Sequence, residues 1–120
     1  HGKEDIARAT SFTRSLLVAS VENPEKFGIV VRNPDGTLGF MIEKPEHAPS
    51  NCASTGVMVL DSHIFEFEPK TPVKGEYYLT EVIERYAEKY PIAVVEERIW
   101  IPVAQMDDIT RAEIKLCPIQ

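Results

Sequence analysis

The first apolar positions, Ile6, Ala9 and Phe12, lie about one helical turn apart and follow the acidic pair Glu4 and Asp5. That spacing predicts a helix over 4–12, its acidic first turn matched to the positive end of the helix dipole. The pattern then changes to a continuous apolar run, SLLVASV over 15–21, which reads as a central strand buried on both faces. A turn-rich connector over 22–28 leads to a strand over 29–31. Asn33-Pro34-Asp35-Gly36 forms a tight turn, and 37–43 returns as a second strand. Pro presets φ and Gly accepts a positive φ, so this stretch is a hairpin. A proline-bracketed loop follows over 44–50, then a strand centred on Val57-Met58-Val59-Leu60. Residues 62–67 read as a helical turn with Ile64, Phe65 and Phe67 inward, and 69–75 as loop. The clearest helix spans 76–90, where Leu79, Val82, Ile83, Tyr86 and Tyr90 make a stripe at i, i+3, i+4 and i+7. Pro91 stops it. Strands over 92–95 and 99–103 and a final helix over 107–117, with Ile109, Ala112 and Leu116 inward, complete the chain. Alternating strands and helices predict an α/β domain with a mixed sheet.

Composition narrows the class. The chain has 120 residues, 43% apolar and 27% charged, which suits one globular domain over 1–120. Its net charge of −6 argues against sequence-independent nucleic-acid binding, which needs a basic face. No apolar run approaches the ~20 residues of a membrane helix, and no signal peptide is legible. Cys52 and Cys117 lack the spacing of a metal clip and read as free thiols of a cytoplasmic protein. The chain opens His1-Gly2-Lys3 without an initiator Met, which points to processing or a boundary within a longer protein.

Several strings carry possible chemistry. Glu43-Lys44-Pro45 ends a predicted strand, where polar ligands of α/β sheets bind. The Lys can meet a phosphate as a point charge and the Glu can accept hydrogen bonds from hydroxyls. Those three residues by themselves read more readily as a solvated edge pair. Gly28 and Gly56 mark turns, a bulge, or a close approach of backbone to a ligand. Glu76 opens the long helix, where an acidic residue also complements the dipole. His47 and His63 have no Cys, Asp or His at ligand spacing and read as structural or solvent-facing. Trp100 reads as core.

In order, Val21-Glu22-Asn23-Pro24-Glu25-Lys26-Phe27-Gly28-Ile29-Val30, Glu43-Lys44-Pro45, the stretch 49–60 (PSNCASTGVMVL) and Gly75-Glu76-Tyr77-Tyr78-Leu79-Thr80-Glu81 resemble the second half of sugar-1-phosphate nucleotidyltransferases, such as glucose-1-phosphate thymidylyl- and uridylyltransferases. The likeness covers residues 3–115. It implies a partial Rossmann-like fold and a Mg²⁺-assisted attack of a sugar phosphate on a nucleoside triphosphate, releasing pyrophosphate. Carried over, Gly28 offers its backbone to the sugar, Glu43 bonds sugar hydroxyls, and Lys44 holds the phosphate. Thr55 and Gly56 line the sugar pocket and Glu76 stands on its wall.

Two departures qualify the resemblance. The family's Gly-rich triphosphate loop, its Pro-Lys pair and its first metal-binding Asp are not among these residues. The family's Trp-x-Asp-x-Gly reads here Trp100-Ile101-Pro102-Val103-Ala104, and proline cannot ligate Mg²⁺. Asp107 and Asp108 follow, but read as the start of the last helix. The chain is therefore expected to be the sugar-phosphate-binding half of an enzyme, or else a non-catalytic module of the same descent. By itself it is expected to hold no metal and to be inactive. With the triphosphate-binding half missing, the 15–21 strand is expected to lie bare at a sheet edge and drive self-association.

Overall fold

Burial explains the order of elements around the first strand, β1 (Ser15–Ser20). The structure is a computed structural model and describes residues 1–70, 72 and 74–117. Thr71 and Val73, in the predicted 69–75 loop, lie outside the described residues. The hairpin is β2 (Gly28–Arg32) and β3 (Leu38–Glu43), followed by β4 (Cys52–Val59) and β5 (Ala93–Glu96). The sheet runs β3-β2-β4-β1-β5, with β1 parallel to β5 and the other pairs antiparallel. It is the mixed α/β sheet that the alternating pattern predicts.

Among the described residues, α1 (Lys3–Thr10) and α2 (Leu79–Lys89) pack on it, and a further helix, α3 (Met106–Leu116), follows β5. Period-two alternation sends Leu16 and Val18 to one face, where they pack with Ile83, Tyr86 and Ala87 of α2. Leu17 points to the other face, against Ala9 of α1 and Val95. Both faces of β1 are thus covered, as its unbroken apolar run predicts.

One expectation fails at the same strand. β1 is not an edge, because β4 and β5 flank it. The sheet ends at β3 and β5. Open backbone remains along the outer side of β4, since β2 pairs with it only at Ile29↔Ala53.

The predicted strand over 99–103 does not form, and Asp5 is the reason. Asp5 is buried, and its Oδ2 accepts the backbone N–H groups of Arg98 and Ile99 at 3.0 and 2.9 Å. Those donors are spent on a side chain instead of a ladder, the Ile99 carbonyl accepts Gly2 N–H at 3.1 Å, and Pro102 has no N–H to give. Burial pushes the Asp5 carboxyl up. The Ile99 and Arg98 amides and the Arg8 guanidinium outweigh it and hold the pKa down at about 2, against a usual 3.8. A carboxyl with a depressed folded pKa contributes stability above its unfolded pKa and loses it as pH falls through the folded value. Asp5→Asn is therefore expected to lower the melting temperature at pH 7 and to flatten the acid limb of the stability curve between about pH 4 and 2. Thermal melts across that range check it, and an unchanged acid limb would refute the assignment.

Other boundaries move for local reasons. α1 stops at Thr10, leaving Phe12 exposed. α2 begins at Leu79, not at 76, because Lys74 and Gly75 adopt positive φ and Tyr78 is extended. Glu76 is thus not a first-turn residue, and Leu79 of the predicted stripe is exposed. Phe65 points outward from the short 3-10 helix Ser62–Glu66. α3 buries no residue, and Ile109 and Leu116, predicted inward, face solvent.

Candidate functional site

A single ladder pair, Ile29↔Ala53, joins the β2–β3 hairpin to β4, and the strands diverge from there. The split opens a cleft of about 260 Å³. The hairpin contributes Gly28, Met41 and Glu43, β4 contributes Ser54, Gly56 and Met58, and the start of α2 contributes Leu79 and Thr80. A second hollow of about 270 Å³ adjoins it, with Met41, Glu43 and Thr80 in both walls. Glu43 therefore stands at the junction of the two.

Gly28 pairs with Glu43 across the hairpin. A Cβ at Gly28 would lie 3.1 Å from Glu43 Oε2 and 3.5 Å from Thr80 Cγ2. Any side chain there crowds the carboxylate, so glycine leaves Glu43 free to lie over bare backbone. Lys44 follows with φ +41, and its N–H closes the hairpin on the Phe27 carbonyl at 3.0 Å. Its side chain is exposed beyond the lining of the cleft.

Gly56 owes its place to conformation. Its φ is +90, while a Cβ there would meet nothing within 4 Å. The β1–β4 register slips between Leu16↔Met58 and Val18↔Ser54, so β4 bulges at 55–57 opposite Leu17. Thr55 fixes that bulge from inside, its hydroxyl donating to the Leu17 carbonyl at 3.2 Å. It is buried and does not line the cleft.

The structure thus brings Gly28, Glu43 and Gly56 into one cleft, sets Lys44 beside it and Thr55 behind it, and leaves Glu76 exposed outside the lining. The lining residues that sequence reasoning passed over are Met41, Ser54, Met58, Leu79 and Thr80. Period two along β4 was the available signal: if Gly56 faces a ligand, so do Ser54 and Met58, while Thr55 faces away.

The residues near Trp100 do not fit the Mg²⁺ that the resemblance implies. Asp108 Oδ2 accepts the backbone N–H groups of Ala104 and Gln105, both at 3.0 Å, and its Oδ1 takes Arg111 at 3.2 Å. Those amides, offset in part by burial, and the Arg111 charge hold its carboxyl below the usual range. The carboxylate is used in capping α3. Among the described residues no three His, Cys, Asp or Glu side chains converge on a point a metal could occupy. Trp100 itself is half-buried, edge-on to Phe27 at 5.5 Å, and not in the core. Both thiols are free, and no helix among the described residues is long and apolar enough to cross a membrane.

Comparison with known proteins gives this geometry a context. Over 94 residues the chain is 32% identical to the bifunctional sugar-1-phosphate nucleotidylyltransferase/acetyltransferase of Sulfurisphaera tokodaii, covering 76% of this chain and 23% of that protein. Over 113 residues it is 29% identical to the bifunctional protein GlmU of Methanocaldococcus jannaschii, covering 92% and 28%. The chain spans about a quarter of the length of these curated relatives. A Bacillus anthracis protein, solved with sucrose under the description glucose-1-phosphate thymidylyltransferase, shares the fold at a TM-score of 0.72 and 24% identity, over 98% of this chain and 48% of that one. The model of the family described as nucleotidyl transferase matches residues 3–117, almost the entire sequence, and the chain belongs to that family.

Proposed function

We propose that the split between the hairpin and β4 binds a sugar 1-phosphate, and that this chain is the sugar-phosphate-binding part of a nucleotidyltransferase that joins that sugar to a nucleoside triphosphate. The observation that carries the reading is Glu43: an acceptor-only carboxylate lying over bare backbone at Gly28, with Ser54 and Thr80 on the facing walls. A sugar ring offers hydroxyl donors to the carboxylate and C–H faces to Met41, Met58 and Leu79. Lys44 reaches the phosphate from the rim on its flexible stem. The start of α2 adds the positive end of a helix dipole on the same side. Gly56 leaves the opposite wall open, and Thr55 serves by holding the bulge. Glu76, exposed and outside both linings, has no part in this reading. The sugar 1-phosphate in a relative's name supports the substrate class.

The test is calorimetric titration of the chain with glucose 1-phosphate. Glu43→Gln and Lys44→Ala are each expected to weaken binding by several-fold or more, since charge-assisted hydrogen bonds contribute about 1.5–3 kcal/mol and an exposed lysine sits at the low end. Lys26→Ala, on the nearby 3-10 turn Pro24–Lys26, should change little. Equal losses from Lys44→Ala and Lys26→Ala would reduce the site to bulk charge.

Pro102 and the capped Asp108 favour a second reading, a binding or regulatory module without metal chemistry. Sugar-phosphate binding without turnover in the longest natural form of the protein would select it.

A further inference from the structure

Phe65 is 86% exposed, more than any other large apolar side chain among the described residues. Its neighbours hold it outward. The 3-10 helix that carries it, Ser62–Glu66, starts on Asp61, whose side chain accepts the His63 N–H at 3.1 Å. It ends on Glu66, whose carboxylate takes Lys89 Nζ at 3.2 Å and the Tyr90 hydroxyl at 3.1 Å. Beside this fixed knob lies a hollow of about 340 Å³. Ile64, Phe67 and Pro69 form one bank of it, and Tyr78, Leu79 and Val82 the other. No charged side chain lines it, and Phe67 is braced edge-on against Tyr86 at 5.9 Å, so the hole is as rigid as the knob. Both parts are thus ordered before anything binds, which lowers the entropy cost of association. The mouth carries charge in a fixed order: Glu68 and Lys70 beyond the first bank, Lys74 and Glu76 before the second. All four are exposed, and none makes an ion pair among the described residues.

We propose that this face binds a second copy of the chain about a two-fold axis, each copy's Phe65 seated in the other's hollow. A knob and an apolar hole on one surface are self-complementary, which is what an isologous interface requires. The charges agree with the same occupant: a two-fold that lays one bank on the opposite bank of the second copy sets Glu68 against Lys74 and Lys70 against Glu76. An aromatic side chain in a desolvated pocket, ringed by charges of both signs, is the usual energetic centre of an interface. Self-association, which β1 cannot drive as an interior strand, finds its surface here. The face is small, so the dimer is reversible. Phe65 lines neither the cleft around Glu43 nor the hollow adjoining it, and the proposal does not rest on the sugar-phosphate reading.

Sedimentation equilibrium of the chain, from micromolar to millimolar concentration, is the test. A monomer–dimer equilibrium is expected, its dissociation constant raised about tenfold or more by Phe65→Ser. Ile109→Ser, at an exposed apolar position of α3, is expected to leave the constant unchanged. Glu68→Lys and Lys74→Glu are each expected to weaken the dimer, and Glu68→Lys/Lys74→Glu together to restore it, since the pair then meets with its signs exchanged. Circular dichroism confirms that each variant is folded. A chain that stays monomeric throughout overturns the proposal. So does a dimer indifferent to Phe65→Ser, one weakened as much by Ile109→Ser, or a double charge variant no better than the single ones. Glucose 1-phosphate binding by Phe65→Ser is expected to match that of the unaltered chain, so failure here and failure of the sugar-phosphate site are read separately.

Discussion

Mixed with Mg²⁺, glucose 1-phosphate and each nucleoside triphosphate in turn, the 120-residue polypeptide is expected to release no pyrophosphate above background. Transfer of a phosphoryl-type group is catalysed almost entirely by positioning and by cations and N–H donors aimed at the transferring phosphate. The sequence has no Gly-rich loop to cradle a triphosphate. Where the resemblance calls for a metal-binding Asp stands Pro102, and the carboxylate of Asp108, further along the chain, is bound to the amides of Ala104 and Gln105. Glu43 and Lys44 bind a substrate in the proposed reading, but binding alone stabilises ground and transition states alike. The expected deficit against a working enzyme of this class is roughly a million-fold or more. A coupled pyrophosphate assay at micromolar protein measures it. Robust turnover would mean that these residues assemble a phosphate site of their own, and the division of labour drawn here would be wrong.

The hairpin, the buried central strand and the long helix were legible because each rests on a local pattern: a Pro-Asp-Gly turn, an unbroken apolar run, a one-sided stripe. The failures share a different cause. Asp5 reads locally as a helix-dipole residue, yet it is buried and claims the amides of Arg98 and Ile99. Nothing near position 5 or position 98 announces a contact across that span, so a strand was expected where a carboxylate had taken the donors. β1 was expected to be a bare edge because the resemblance put missing strands beside it, yet β4 and β5 of this chain flank it, and its apolar run speaks only of burial on its faces. α3 shows the opposite error. Its stripe has the right period, and periodicity cannot say which way a helix is turned. At the site, strand alternation correctly read would have exchanged Thr55 for Ser54 and Met58. The convergence of Glu43 on Thr80 needed the fold, since it depends on where α2 begins.

The largest stability loss is expected at Tyr86. Its side chain is fully buried, with Phe67 edge-on at 5.9 Å and Tyr90 at 5.4 Å. Its hydroxyl donates to Asp61 Oδ1 at 2.8 Å and accepts the Asp61 N–H at 3.3 Å. Asp61 in turn pairs with Arg14 at 2.7 Å, and Arg14 donates to the Pro91 carbonyl at 3.0 Å. One phenol therefore ties α2 to the turn after β4 and to the residue that precedes β1. Burial, then the hydrogen bond and charge of Asp61, raise its pKa, while Asp61's own carboxyl, pushed up by burial, is held below its usual range by Tyr86 and Arg14. Tyr86→Ala removes ring and hydroxyl together and is expected to cost about 3–5 kcal/mol. Against a total of about 5–15 kcal/mol for a domain, that is enough to leave the chain marginally folded. Tyr86→Phe keeps the ring and is expected to cost about 0.5–1.5 kcal/mol at pH 7. It should also move the Asp61 pKa back toward its usual value. Stability contributed by a depressed carboxyl is present above its unfolded pKa and lost in acid, so the Tyr86→Phe loss should shrink as pH falls below about 4. Urea titrations followed by circular dichroism at pH 7 and in acid measure both. A Tyr86→Phe loss as large as that of Tyr86→Ala would place the stability in the hydroxyl network, and the packed ring would no longer account for it.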